Sequence, residues 1–300
     1  MAAPTSAAPP TEATRATDNL NKAIQAVEPF FKRMGSPEPM DWLTSFPNEA
    51  GQTFEQYLNG NPTLPTAERH TIYVQPIGTF SAKQDRVIRT AADYMESFFG
   101  LNVKLLARDK FDEPLRIKDH RYNKYLKHKQ IRTGYILDEL LLPKLPADAA
   151  AFIAFTNEDL YPDETMNFVF GQASLANRVG VWSLYWFDRE GSYEAFLRRT
   201  MKVSVHETGH MFSITHCTKY ECVMSGTNHL RETDRRPIDA CPECTAKVCW
   251  FSKVAPAERY SRLAQFSAKN GLREESAEFR EKARAVASLP NIPAKLHSAP

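Results

Sequence analysis

His206, Glu207 and His210 stand in the run His-Glu-Thr-Gly-His, and His216 follows six residues after His210. On a helix, residues four apart project from one face, so the first two imidazoles can reach the same ion. Zinc takes histidine nitrogen at about 2.0–2.1 Å and, in catalytic sites, keeps one of its four positions open. Glu207 lies beside His206 but off the ligand axis, where a carboxylate can meet a water instead of the metal. Short matches to H-E-x-x-H arise by chance. His216 adds what chance does not, a third imidazole delivered once the chain has left the helix and turned back.

The cysteines concentrate in the same region. All five, and four of the eight histidines, fall between His206 and Cys249. Cys217 and Cys222 form one pair, and Cys241 and Cys244 form a second as Cys-Pro-Glu-Cys. Two such pairs suit a tetrahedral zinc site with four thiolate ligands. Two disulfides are the alternative, and they require an oxidising compartment. Cys249 is left over beside Trp250, expected to be a free, semi-buried thiol with no assigned role.

These side chains need a helix and a sheet behind them. Ser192 to Phe212 reads as the helix that carries the motif, with Ser192 as N-cap and Phe196, Leu197 and Thr200 facing inward. Upstream, Thr71 to Ile77 reads as a strand, Ser81 to Phe99 as a helix stopped by Gly100, and Asn102 to Leu106 as a second strand. That unit predicts a parallel pair with a crossover helix. Thr133 to Leu142 is expected to be a helix closed by Pro143, and Ala150 to Phe155 a buried strand. Asn167 to Gln172 and Arg178 to Trp186 complete a five-stranded α/β layer.

The flanks are simpler. Residues 1–17 offer little to bury and are expected to be disordered. A helix is predicted from Asp18, as N-cap, to Arg33, with Pro29 kinking or ending it. Residues 34–69 read as an arm laid over the main domain, with Trp42, Phe46, Phe54 and Tyr57 as anchors. Lys110 to Arg132 is basic and reads as a polyanion patch or, more simply, a solvated insertion loop. Two amphipathic stretches after Pro256, marked by Tyr260, Leu263, Ala264 and Phe266 and by Phe279, Ala283 and Val286, can cap the domain or meet a partner, with capping the expected use.

Composition narrows the classes. Thirty-eight basic against 36 acidic residues in a chain of 300 give a formal charge of +2, which does not suggest a nucleic-acid partner. No apolar run of about 18 residues is present, so no membrane-spanning helix is expected. Met1 to Thr17 lacks an apolar core and does not read as a signal peptide. With four zinc-binding thiols, a reducing cytoplasm is the expected location.

The run His206-Glu207-Thr208-Gly209-His210 through His216-Cys217, then Cys222-Val223-Met224 and Cys241-Pro242-Glu243-Cys244, resembles the signature of the archaemetzincins. These are zinc metallopeptidases of the metzincin clan, also called archaelysins. Thr156 to Pro162, Asn167 to Ser174, Val179 to Ser183 and Asp234 to Pro237 look like the family as well, and the similarity runs from about Trp42 to Trp250.

The resemblance implies a metzincin-type zincin, with a twisted mixed five-stranded sheet, an active-site helix and a C-terminal subdomain bearing a four-cysteine zinc site. It implies two zinc ions per chain. His206, His210 and His216 would hold the catalytic one, and Cys217, Cys222, Cys241 and Cys244 the structural one. Glu207 would be general base for a zinc-activated water, and Met224 the Met-turn beneath the metal. Either Asn167–Gln172 or Arg178–Ser183 would be the antiparallel edge strand that pairs with an extended peptide. The implied organisation is residues 1–17 disordered, 18–69 helix and arm, 70–255 catalytic domain and 256–300 helical extension. Peptides or proteins are the expected substrates, with aminopeptidase-like action on short peptides; nucleic acid and membrane are not expected partners.

One position departs from the pattern. Ser213 stands where metzincins place a glycine that turns the chain with positive φ, a conformation that costs serine roughly 1–2 kcal/mol. A displaced turn would misplace His216, and the alternative function is then a catalytically weak or inactive zincin that acts as a peptide- or protein-binding module. Tyr185 and Tyr220 are the candidates for an assisting tyrosine.

Overall fold

The computed structural model describes residues 11–108, 119–189 and 191–289. Helix α1 (Glu12–Val27) begins at Thr11, whose hydroxyl accepts from Thr14 N at 3.2 Å. The expected start at Asp18 is therefore too late. Residues 12–17 are helical because Ala16 continues the buried stripe of Leu20, Ala23 and Val27. Residues 1–10 of the stretch expected to be disordered lie outside the described residues. Pro29 ends the helix in a 3-10 turn over Glu28–Phe30, as a residue without an N–H must. The arm then carries two short helices, α2 (Trp42–Ser45) and α3 (Phe54–Asn59), the second opened by a capping box between Thr53 and Gln56. Phe54 and Tyr57 are its buried anchors, whereas Phe46 is exposed.

The central layer follows the predicted alternation. Strand β1 (Thr71–Ile77) is buried throughout, helix α4 (Ala82–Phe99) crosses over, and β2 (Asn102–Leu105) pairs parallel to β1. Ser81 and Gln84 close a capping box at the start of α4, and Gly100 ends it at φ +67°. Next come a hairpin, β3 (His120–Asn123) and β4 (His128–Arg132), then β5 (Ala149–Thr156), β6 (Asp159–Tyr161), β7 (Gly171–Ser174) and β8 (Val179–Ser183).

The main sheet has five strands in the order β2-β1-β5-β8-β7. All its pairings are parallel except β7 with β8. Every residue of β1, β5 and β8 is buried, the mark of strands covered on both faces. The mixed α/β architecture and its five-stranded mixed sheet are therefore as expected. The antiparallel edge is β7, which shares only Gly171 and Gln172 with the expected strand Asn167–Gln172; Arg178–Ser183, the other candidate, lies inside the sheet as β8.

One expectation needs correction. Residues 120–132 are not part of a loop: they form the hairpin that joins β6 in a separate sheet of order β3-β4-β6, with Gln130 and Ile131 buried. The rest of the basic stretch, 109–118, lies outside the described residues. The predicted helix at Thr133–Leu142 is present, as a π-helix over Tyr135–Leu141 followed by a 3-10 turn at Leu142–Lys144 that contains Pro143.

Helix α5 (Tyr193–Met211) starts at the predicted cap, where the Ser192 hydroxyl accepts from Ala195 N, and packs on α4 and the β7–β8 end of the sheet. After α6 (Leu230–Arg235), three helices close the fold: α7 (Pro242–Ser252), α8 (Pro256–Lys269) and α9 (Arg273–Val286). The last two cap the domain. Tyr260, Leu263, Phe279 and Val286 are buried, with α8 against α4 and α9 against α1. Two buried cations from this cap converge on one carboxylate, Lys282 Nζ at 2.8 Å and Arg259 Nη1 at 3.4 Å from Asp239. Among the described residues no helix is long and apolar enough to cross a membrane.

The capping box of α4 gives a direct check. Ser81→Ala removes the acceptor for Gln84 N and should lower stability by about 1 kcal/mol. Urea denaturation should show a lower midpoint with an unchanged slope.

Candidate metal centre

The period of α5 brings His206 and His210 one turn apart, and their Nε2 atoms stand 3.1 Å from each other. His216 joins them from the loop, its ring 5.2 Å from that of His206 and 4.9 Å from that of His210. The three ligand atoms form one cluster within 4.8 Å. Each Nδ1 is engaged on the far side: His206 with Val223 O at 2.8 Å, His210 with Ile214 O at 2.6 Å, and His216 with Glu49 Oε1 at 2.8 Å. A ring that donates through Nδ1–H leaves a bare lone pair on Nε2, the tautomer a metal requires.

Burial favours the same state. It pushes His206 down to about 4, helped by His216, and His210 down to about 4, helped by His206. Neutral imidazoles with their Nε2 atoms turned toward one another repel unless a cation lies between them, so the donor set fits a zinc ion.

Glu207 faces the cleft next to this cluster. Burial raises its carboxyl above the usual carboxylate range, against the opposing pull of His210 and His216. The cleft encloses about 410 Å³, walled on one side by Phe168, Val169, Phe170 and Gly171, the approach to edge strand β7. Val203 and Val223 supply apolar surface, while Lys202 and Arg236 bring positive charge. Lys202, one turn before His206, donates from Nζ to Thr233 O at 2.8 Å, and burial lowers its pKa to about 8.

Met224 packs under the motif helix. A Cβ built on Gly209 would lie 2.7 Å from Met224 Sδ, so the glycine between Glu207 and His210 is what lets the methionine approach. Cys217 N donates to Met224 O at 2.8 Å, tying that turn to the first thiol. Cys217, Cys222, Cys241 and Cys244 are all buried and form a second cluster within 4.8 Å, with Cys217 Sγ 3.5 Å from Cys241 Sγ. All five cysteines are free. The thiols of Cys222, Cys241 and Cys244 pull Cys217 far below its usual range, whereas burial first of all raises Cys222 and Cys241. Four buried cysteine sulfurs gathered within 4.8 Å of one another are a donor set that fits zinc. Among the described residues Cys249 joins neither group of candidate ligands; it is fully buried in the apolar core, not semi-buried, and burial raises its pKa to about 12.

Other expectations fare differently. Neither candidate tyrosine lines the cleft. Tyr220 is turned to the end of α1, where its hydroxyl donates to Glu28 Oε1 at 2.8 Å. Tyr185 packs against His128 with its ring centroid 4.7 Å away and carries Arg189 on its face. Ser213 does adopt the turn, at φ +63°. Its Oγ accepts from Thr63 N at 2.9 Å and its carbonyl from Gln52 Nε2 at 3.2 Å. Tyr57 donates to Phe212 O one residue earlier, at 3.0 Å.

The arm's contribution had no signal in the sequence beyond its aromatic anchors. A third cluster, Asp41, His229 and Glu232, was not anticipated either. Its carboxylates are already neutralised, Asp41 by Arg235 at 2.6 Å and Glu232 by Arg236 at 3.1 Å. Burial pushes the Asp41 carboxyl up, but the hydrogen bonds from Arg235 and the Glu38 backbone outweigh it and hold the group below the usual range. This network pins the arm to α6.

Residues 80–249 match the sequence profile of peptidase family M54. Archaemetzincin-2 of Rattus norvegicus is 34% identical over 286 residues, covering 82% of this chain and 77% of the relative. The archaemetzincin of Thermococcus kodakarensis is 32% identical over 185 residues, covering 59% of this chain and 94% of the relative. A crystal structure of the Methanopyrus kandleri archaemetzincin aligns with a TM-score of 0.49 at 26% identity, covering 61% of this chain and 96% of that one.

The held turn predicts an order of stabilities. Ser213→Ala keeps the strained φ and loses the hydroxyl acceptor, and should cost about 1 kcal/mol. Ser213→Gly loses the same bond but relieves a strain of about 1 kcal/mol, and should fall close to wild type. Chemical denaturation of both variants checks the order.

Proposed function

The chain belongs to peptidase family M54, the archaemetzincins, which are zinc metallopeptidases, and from that premise we propose that its cleft hydrolyses peptide bonds with Glu207 as general base. His206, His210 and His216 are the residues that would hold the catalytic zinc, and Cys217, Cys222, Cys241 and Cys244 those that would hold a structural one. When bound at the histidines, zinc supplies Lewis acidity toward the scissile carbonyl and draws the pKa of a water toward about 7.

The chain's own groups do the rest. An extended peptide adds to the free edge of β7 through backbone hydrogen bonds, with its side chains between Phe168 and Val203. Glu207 takes the proton from the attacking water and passes it to the leaving amine. Burial raises its carboxyl above the usual carboxylate range, the direction that strengthens a carboxylate as a base. Short peptides, cleaved near their amino termini, are the substrate class that the resemblance implies, and a cleft of about 410 Å³ accommodates a few side chains.

The observation that carries the reading is the convergence of three Nε2 atoms beside a cleft-facing Glu207. Ser213 is the ground for the alternative of a catalytically weak or inactive, peptide- or protein-binding zincin. The arm's bonds to Ser213 and its neighbours support delivery of His216 despite the missing glycine, which favours the catalytic reading.

Glu207→Ala should retain both metals and lose turnover by about 100-fold or more, the range a general base supplies. Mass spectrometry of peptide products alongside zinc analysis tests this. Full activity in that variant sinks the assignment of Glu207.

A further inference from the structure

We propose that Glu49, on the N-terminal arm, is a positioning residue for His216, so that the arm completes the histidine site. The inference rests on the reading of the three histidines as a metal site. Glu49 lies outside residues 80–249, the stretch matched by the family profile.

The three histidines are not held alike. His206 and His210 are fixed by α5, and each Nδ1 meets a backbone carbonyl. His216 sits on a loop, without a helix to orient it, and its Nδ1 meets a carboxylate, Glu49 Oε1 at 2.8 Å. The other carboxylate oxygen accepts from Trp42 Nε1 at 2.6 Å. Both oxygens are thus committed, and the carboxylate is aimed. Trp42 also stands edge-on to the His216 ring, with centroids 4.8 Å apart and planes at 81°, so the imidazole is clamped on its face and at its outer nitrogen by one short segment.

That segment is itself anchored. Trp42 N donates to Glu232 Oε2 at 3.0 Å, and its indole lies where a Cβ on Gly226 would come within 2.5 Å. Farther along the arm, Gln52 bonds Ser213 O at 3.2 Å and receives Thr215 N at 3.3 Å. The arm therefore grips residues on both sides of the turn that delivers His216. An anionic partner on Nδ1 fixes the tautomer, holds the ring plane and increases the basicity of Nε2. Such carboxylate partners typically account for about 10–100-fold in metal affinity.

The test uses the full chain, stripped of metal and titrated with Zn²⁺ against a chromophoric chelator, in wild type, Glu49→Ala and Glu49→Gln. Substituting Co²⁺ distinguishes the sites, because thiolate ligation gives intense charge-transfer bands and histidine ligation only weak ligand-field bands. Glu49→Ala should weaken the histidine site by about 10–100-fold and leave the thiolate bands unchanged. Glu49→Gln, which keeps an acceptor for Nδ1 without the charge, should recover part of the loss. The melting temperature of the metal-free protein reports a merely structural role. A lower metal-free melting temperature with unchanged affinity at the histidines overturns the proposal. Wild-type protein that takes up no metal at the histidines overturns this proposal and the underlying reading together, whereas unchanged affinity in Glu49→Ala overturns this one alone.

Discussion

His216 and Cys217 are neighbours in the chain, and that adjacency constrains everything around them. One residue must present an imidazole to the histidine cluster while the next turns its thiol into a buried cluster on the other side of the loop. The peptide between them has almost no freedom left. Consequently the exit from α5 must occur at a set residue and turn sharply, which puts Ser213 in the left-handed region. Met224 must then return to the same place, where Cys217 N meets its carbonyl and Gly209 makes room for its sulfur.

The outer parts of the fold can be understood as supports for that loop. On one side the arm supplies Glu49, Gln52, Tyr57 and Thr63 to residues 212–216. On the other, Asp239 receives Val223 N through its backbone carbonyl while its side chain gathers Arg259 and Lys282 from the C-terminal helices. Buried ion pairs of this kind contribute little net stability against a well-packed apolar alternative. What they do provide is direction, because a charged group has few places it can go once buried. Both the segment before Cys241 and the segment after Cys222 are fixed by the same carboxylate residue.

Local chemistry explains which features were legible in the sequence. The spacing of His206 and His210, the Ser81 and Ser192 caps, the apolar strands β1 and β5 and the stop at Gly100 are set by residues within a few positions of one another. Their physics is visible without knowing the fold. Features decided at long range were not. Thr63, which meets the Ser213 hydroxyl, lies 150 residues away, so the sequence shows the cost of the turn but not what offsets it. Glu49 is one acidic residue among 36 until the fold brings it against His216. The hairpin at 120–132 hid in a basic stretch because its strands are short and only Gln130, Ile131 and Asn123 are buried. Tyr185 and Tyr220 were near the motif in sequence, yet each is committed elsewhere by packing.

One loop presents side chains to both clusters, the arrangement proposed to hold two zinc ions. The zinc content of purified protein, with no metal added, tests it most directly when paired with the reactivity of the cysteine thiols. Two zinc ions per chain, with Cys217, Cys222, Cys241 and Cys244 shielded from thiol reagents, is the expected result. A single zinc ion with those four thiols shielded would contradict this arrangement, since the histidines would then be assembled without holding a metal.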